Sequence, residues 1–133
     1  MRRLALVTSL LAACGGSGVR SNDVLSMPPH PLVGTWECSS RYEIGTMTLA
    51  PNPYTASELT ALGTWSLGPA PANEAGATLS PDTRRVHVWF NHGTSVLYDV
   101  DAVMSGDWTT MTGTIAVVNA TDAFGPFEAK RVR

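Results

Sequence analysis

Lysine and glutamine are nearly missing from this chain: there is one lysine, Lys130, and no glutamine. Charged residues make up only 15% of the whole against 44% apolar, a globular balance low in charge that argues against a disordered chain. A basic stripe is missing too: nine Lys and Arg stand against eleven Asp and Glu, so nucleic acid is not an expected partner. Two cysteines among 133 residues exclude a disulfide-rich scaffold, and no Cys-x-x-Cys occurs. No Gly-x-Ser-x-Gly elbow and no phosphate loop appears, so neither a cofactor nor an enzymatic role is expected. The longest apolar stretch, Leu4 to Ala13, has ten residues, against the roughly 20 that a bilayer-spanning helix needs.

What is present is a short recurring pattern: Gly-Thr-apolar, with a second apolar residue two positions on. It occurs as Gly34-Thr35-Trp36 (then Cys38), Gly45-Thr46-Met47 (then Leu49), Gly63-Thr64-Trp65 (then Leu67) and Gly113-Thr114-Ile115 (then Val117). Side chains on a strand alternate between faces, so each copy reads as a half-buried strand with Thr outward and the large apolar residue inward.

The first 13 residues read as a signal peptide: a charged start at Arg2-Arg3, then the short apolar core. Without them the chain keeps seven Lys and Arg against eleven Asp and Glu, a net charge of -4. Leu11-Ala12-Ala13-Cys14 resembles the lipobox of bacterial lipoproteins. That resemblance implies cleavage before Cys14, diacylglycerol on its sulfur, an acylated amino terminus and a stable membrane anchor. With Gly15 and not Asp after the cysteine, it also implies the outer membrane of a bacterial cell envelope. The other reading is an ordinary secretory leader cut near Gly18, with Cys14 discarded. Residues 14–31 read as a flexible linker that stiffens at its prolines, with a reach of at most roughly 55 Å. Residues 32–133 form the expected domain.

Within it, spacing by twos predicts strands over Leu32–Cys38, Tyr42–Leu49, Glu58–Leu67, Arg84–Phe90, Thr94–Met104, Trp108–Val118 and Phe124–Val132. A capping box at Thr55 and Glu58 also allows a short helix, but unbroken alternation into Trp65 favours a strand. Gly68–Ala77 reads as a loop, followed by a brief strand at Thr78-Leu79-Ser80. Val96, Tyr98, Val100, Ala102 and Met104 are predicted inward. Trp89 is predicted outward, and Trp108, out of phase with its neighbours, is placed at a rim or bulge. The fold class is all-β: a single antiparallel up-and-down β-barrel, or barrel-like meander, of seven to eight strands.

Gly34-Thr35-Trp36, opening a small β domain, resembles the first strand of the calycin group, the lipocalins and avidins. Met111-Thr112-Gly113-Thr114-Ile115 with Gly125-Pro126-Phe127-Glu128-Ala129 is similar to the end of small lipocalin-like bacterial lipoproteins. The resemblance implies an Arg over the first-strand Trp, a position that Arg131 can fill. It also implies a barrel that takes a small apolar or amphipathic ligand.

The candidate ligand-binding residues are Trp36, Trp65 and Tyr98, and the candidate lipid-attachment site is Cys14. His87, His92, Asp99 and Asp101 share an outer region, but their spacing is weak for a metal and none is expected. Cys38 reads as a small buried thiol; were Cys14 retained, the two could pair as a disulfide instead. The expected function is non-enzymatic binding by a membrane-anchored lipoprotein. The alternative is an envelope protein-protein interaction module, such as a hydrolase inhibitor or assembly accessory, working through outward Trp89 and Trp108 while side chains fill the barrel.

Overall fold

The computed structural model describes residues 25–42, 44–66 and 73–132; Cys14, and with it the leader, lies outside them. Eight strands follow one another: β1 Gly34–Ser40, β2 Thr46–Pro51, β3 Thr60–Ser66, β4 Asn73–Ser80, β5 Arg85–His92, β6 Ser95–Met104, β7 Thr110–Val117 and β8 Phe124–Arg131. Each pairs antiparallel with the next, and β1 pairs with β8, closing an up-and-down barrel with no free edge. The stretch 55–59 is not helical; it leads directly into β3.

The stagger needed for closure is visible in one inward row. Arg131 on β8 pairs with Trp36 on β1, Trp36 with Met47 on β2, Met47 with Trp65 on β3, and Trp65 with Asn73 on β4. The row begins at the last residue of β8 and ends at the first residue of β4, which lie at opposite ends of the barrel. Strands tilted against the barrel axis produce this climb. Two inward glycines permit it. A Cβ on Gly63 would lie 1.8 Å from the Thr48 carbonyl oxygen, and one on Gly113 would lie 2.0 Å from that of Asp101.

The interior is filled. Trp36, Met47, Leu49, Val86, Val88, Phe90, Val100, Met104, Met111, Ile115 and Phe127 are all fully buried. Small Ala61, Ala75, Ala77, Ala102 and Ala129 are buried among them, so that large and small residues share the narrow lumen.

Four sequence expectations are corrected. The expected loop over Gly68–Ala77 is strand from Asn73 onward, and the brief strand after it is the end of an eight-residue β4. Trp108 is not outward: it is 5% exposed, in a left-handed turn (φ 64°) ahead of β7, which starts at Thr110. Val96 is exposed, because the β5–β6 register shifts between Phe90 and Asn91 and carries it out of the inward set. The second strand starts at Thr46 and not at Tyr42, since Ser40 and Tyr42 form a side-chain-closed turn.

Candidate functional site

At one end the barrel is closed by the segment before β1. Trp36 donates its indole N–H to the Leu32 carbonyl at 3.0 Å, and the Arg131 guanidinium lies 4.3 Å from the Trp36 ring centroid. The same guanidinium donates to the carbonyl oxygens of Pro31, Val33 and Trp108. Burial, which disfavours the charged form, lowers the Arg131 pKa from its usual value. A second Arg–Trp pair stands beside it, with the Arg84 guanidinium 3.8 Å from the Trp108 ring centroid. Together this pair holds Leu25: its N–H donates to Gly106 (2.8 Å), and its carbonyl accepts from Trp108 Nε1 (3.0 Å) and Arg84 Nη2 (3.2 Å). Residues 25–31, read from sequence as linker, thus lie on this end of the barrel as a strap. His30, Arg84 and Trp108 adopt positive φ, a conformation rare for side-chain-bearing residues, and all three sit around the strap.

The opposite end is an aromatic mouth. Trp65 packs edge-on against Phe90 (5.6 Å between centroids) and Tyr98 (6.2 Å), and its indole N–H donates to the Asn91 carbonyl at 2.8 Å. Tyr98 also meets Tyr42 at 5.1 Å, and both tyrosines are half-buried at the rim. The three candidate ligand residues therefore divide. Trp65 and Tyr98 come together at the mouth, while Trp36 lies under Arg131 at the strap end with Met47 between the two tryptophans in register.

The outer wall carries the titratable cluster singled out in the sequence. His87 Nε2 is hydrogen-bonded to Asp99 Oδ1, and Arg85 pairs with Asp101 at 2.7 Å; all four side chains are about half exposed. Each pair is diagonal, since His87 faces Asp101 and Arg85 faces Val103 in register. Exposed pairs of this kind contribute little stability. Among the described residues no group of three or more His, Cys, Asp or Glu side chains could hold a metal ion.

Trp89 does face outward, but it lies over Gly76, where a Cβ would come within 2.2 Å of its ring. The missing side chain on β4 is what lets the indole lie flat on the sheet. Beside it is Tyr54, 87% exposed, and a groove lined by Leu62, Glu74 and Asn91 separates the two aromatics. Sequence reasoning missed Tyr54; the only signal was an aromatic residue just after Pro51-Asn52-Pro53.

Cys38 points toward the core and is partly buried, and burial pushes its thiol pKa up to about 12. It is a poor nucleophile for that reason. No family profile matches the chain, and no curated protein matches it.

Proposed function

We propose that this chain is a lipid-anchored envelope protein, held to the membrane through Cys14, and that it works by binding and not by catalysis. Its partner is another protein, engaged on the outer wall at the groove between Tyr54 and Trp89. The observation that carries this reading is the filled interior beside that groove. A lumen occupied by Trp36, Met47, Phe90, Met111 and Phe127 leaves a ligand no internal space without repacking, which costs about 1–3 kcal/mol or more. Tyr54, by contrast, stands outside the core with nearly all its surface free, and Trp89 lies beside it over Gly76. Tyr and Trp around a groove with a polar rim, here Glu74 and Asn91, are the residue types that dominate protein–protein contact energies.

The test is photo-crosslinking in the native envelope from position 54, with exposed Val103 on another wall as control. A discrete product from 54 that is missing from 103 supports the reading. Identical product patterns at the two positions would remove it. A second reading, a small amphipathic ligand at the mouth, is favoured by the contact of Trp65 with Tyr98 and the half-open Tyr42. It requires a change in tryptophan fluorescence on titration with a panel of lipids and small amphiphiles, and no response across the panel would dismiss it.

A further inference from the structure

We propose that the strap end is the membrane-facing end of the barrel, and that Leu25, Met27 and Val132 rest in the headgroup region of the bilayer. This rests on the reading of Cys14 as the lipidated residue and adds an orientation and a second contact to it.

The argument begins with where the tether ends. The Leu25 backbone is pinned on both sides, by Gly106 through its N–H and by Trp108 and Arg84 through its carbonyl. The chain between the anchor and the barrel is therefore residues 15–24, ten residues, which span at most about 35 Å when fully extended. The pinned point is on one end of the barrel, the end that also holds the start of β1 and the finish of β8. Strands of eight residues, tilted as closure requires, make the wall on the order of 20 Å tall. With the strap end down, the pinned point stands beside the bilayer, well inside that reach. With the mouth down, the same reach would have to cover the full height of the wall as well, roughly 20 Å, and little of it would remain.

The surface chemistry agrees. Leu25 and Met27 on the strap and Val132 after β8 are exposed apolar side chains at this end. Val132 is held there by its N–H to the Thr35 carbonyl at 2.8 Å. The charges nearby are mixed: Lys130 is exposed, Arg84 and Arg131 are committed to the tryptophans and to carbonyls, and Asp82 and Asp107 are acidic. The contact is therefore apolar, with no dependence on anionic lipid.

The experiment uses the full, processed chain reconstituted into phosphatidylethanolamine vesicles, with and without phosphatidylglycerol. Single cysteines, Met27→Cys or Phe124→Cys in a Cys38→Ala background, carry an environment-sensitive fluorophore. A headgroup spin-labelled lipid is the quencher. Both positions are exposed, so neither substitution disturbs the core. The expected result is about threefold or greater quenching at 27 than at 124, unchanged by phosphatidylglycerol, because a side chain among headgroups meets the quencher and one some 20 Å away does not. Adding Arg84→Ala, which loosens the strap, shrinks the difference. Equal quenching at the two positions, or stronger quenching at 124, overturns the orientation while leaving the anchor in place. Failure of the chain to float with vesicles, together with an unmodified Cys14 by mass spectrometry, overturns the anchor and the orientation with it.

Discussion

Replacing Arg131 by Ala removes more from this small domain than any other change of a charged residue described above. The side chain does three jobs at once. Its cation lies over the Trp36 ring, worth about 1 kcal/mol where water is partly excluded. Its N–H groups satisfy the carbonyls of Pro31, Val33 and Trp108, and hydrogen bonds from a charged donor contribute about 1.5–3 kcal/mol each when counted singly. These terms do not add, and desolvation of a half-buried guanidinium offsets part of them. The expected loss for Arg131→Ala is about 3 kcal/mol, which for a domain of roughly 100 residues lowers Tm by on the order of 15 °C. Arg131→Lys keeps the charge but not the planar fork, and is expected to lose about 2 kcal/mol. Urea unfolding followed by tryptophan fluorescence reads both, and a double-mutant cycle with Trp36→Phe isolates the ring contribution. An Arg131→Ala protein within about 0.5 kcal/mol of the parent would refute the reasoning, as would an Arg131→Lys protein equal to it.

Gly63→Ala should prevent a folded barrel or cost at least about 3 kcal/mol, because the new Cβ meets the Thr48 backbone, whereas Gly76→Ala should cost about 1 kcal/mol, because the atoms it meets belong to side chains, those of Trp89 and Leu62, and not to backbone. Urea midpoints of the two variants decide this, and equal losses would contradict it. Cys38 should resist a thiol reagent at pH 8 in the folded protein and react at once in denaturant. The folded thiol ionises near 12 and the unfolded one near its ordinary 9.0, so this group's stabilising share is complete below pH 9 and falls as pH rises toward 12. Cys38→Ala should flatten the stability–pH curve in that window, and an unchanged slope would rule the thiol out as its cause. Tyr54→Ala should leave stability within about 0.5 kcal/mol of the parent while removing the partner captured by a crosslinker placed at Glu74 on the same groove, whereas a large fall in Tm would make Tyr54 part of the fold and not of a contact surface.

Alternation makes most of the wall legible in the sequence. Trp36, Met47, Trp65, Val86, Val88, Phe90, Val100 and Ile115 all fall inward where spacing by twos places them, and the barrel class follows from them. β4 was hidden because Asn73-Glu74-Ala75-Gly76-Ala77 shows no contrast between faces. Its inward residues are small because bulky Val88 and Phe90 pair with them, and its outward glycine is bare because Trp89 covers it. Those are properties of the neighbouring strand, not of the segment itself. The burial of Trp108 is hidden in the sequence for a similar reason. Its phase is broken by a left-handed backbone, and its burial depends on Arg84 and on a strap more than 80 residues earlier in the chain. The Arg84–Trp108 pairing leaves no local trace. A family resemblance suggests Arg131 over Trp36, but its reach to the Pro31 and Val33 carbonyls shows only once β1 and β8 lie side by side.

Because the seam of this cylinder joins its first strand to its eighth, the wall has no partial version of itself. Any machinery that hands the polypeptide over from front to back, whether a ribosome or a narrow export channel, must let go of the whole of β8 before Trp36 acquires its lid from Arg131. Until then the opening strand has a neighbour on one side only. A premature stop at the start of β8 would therefore leave an open, sticky sheet in place of a slightly shorter barrel.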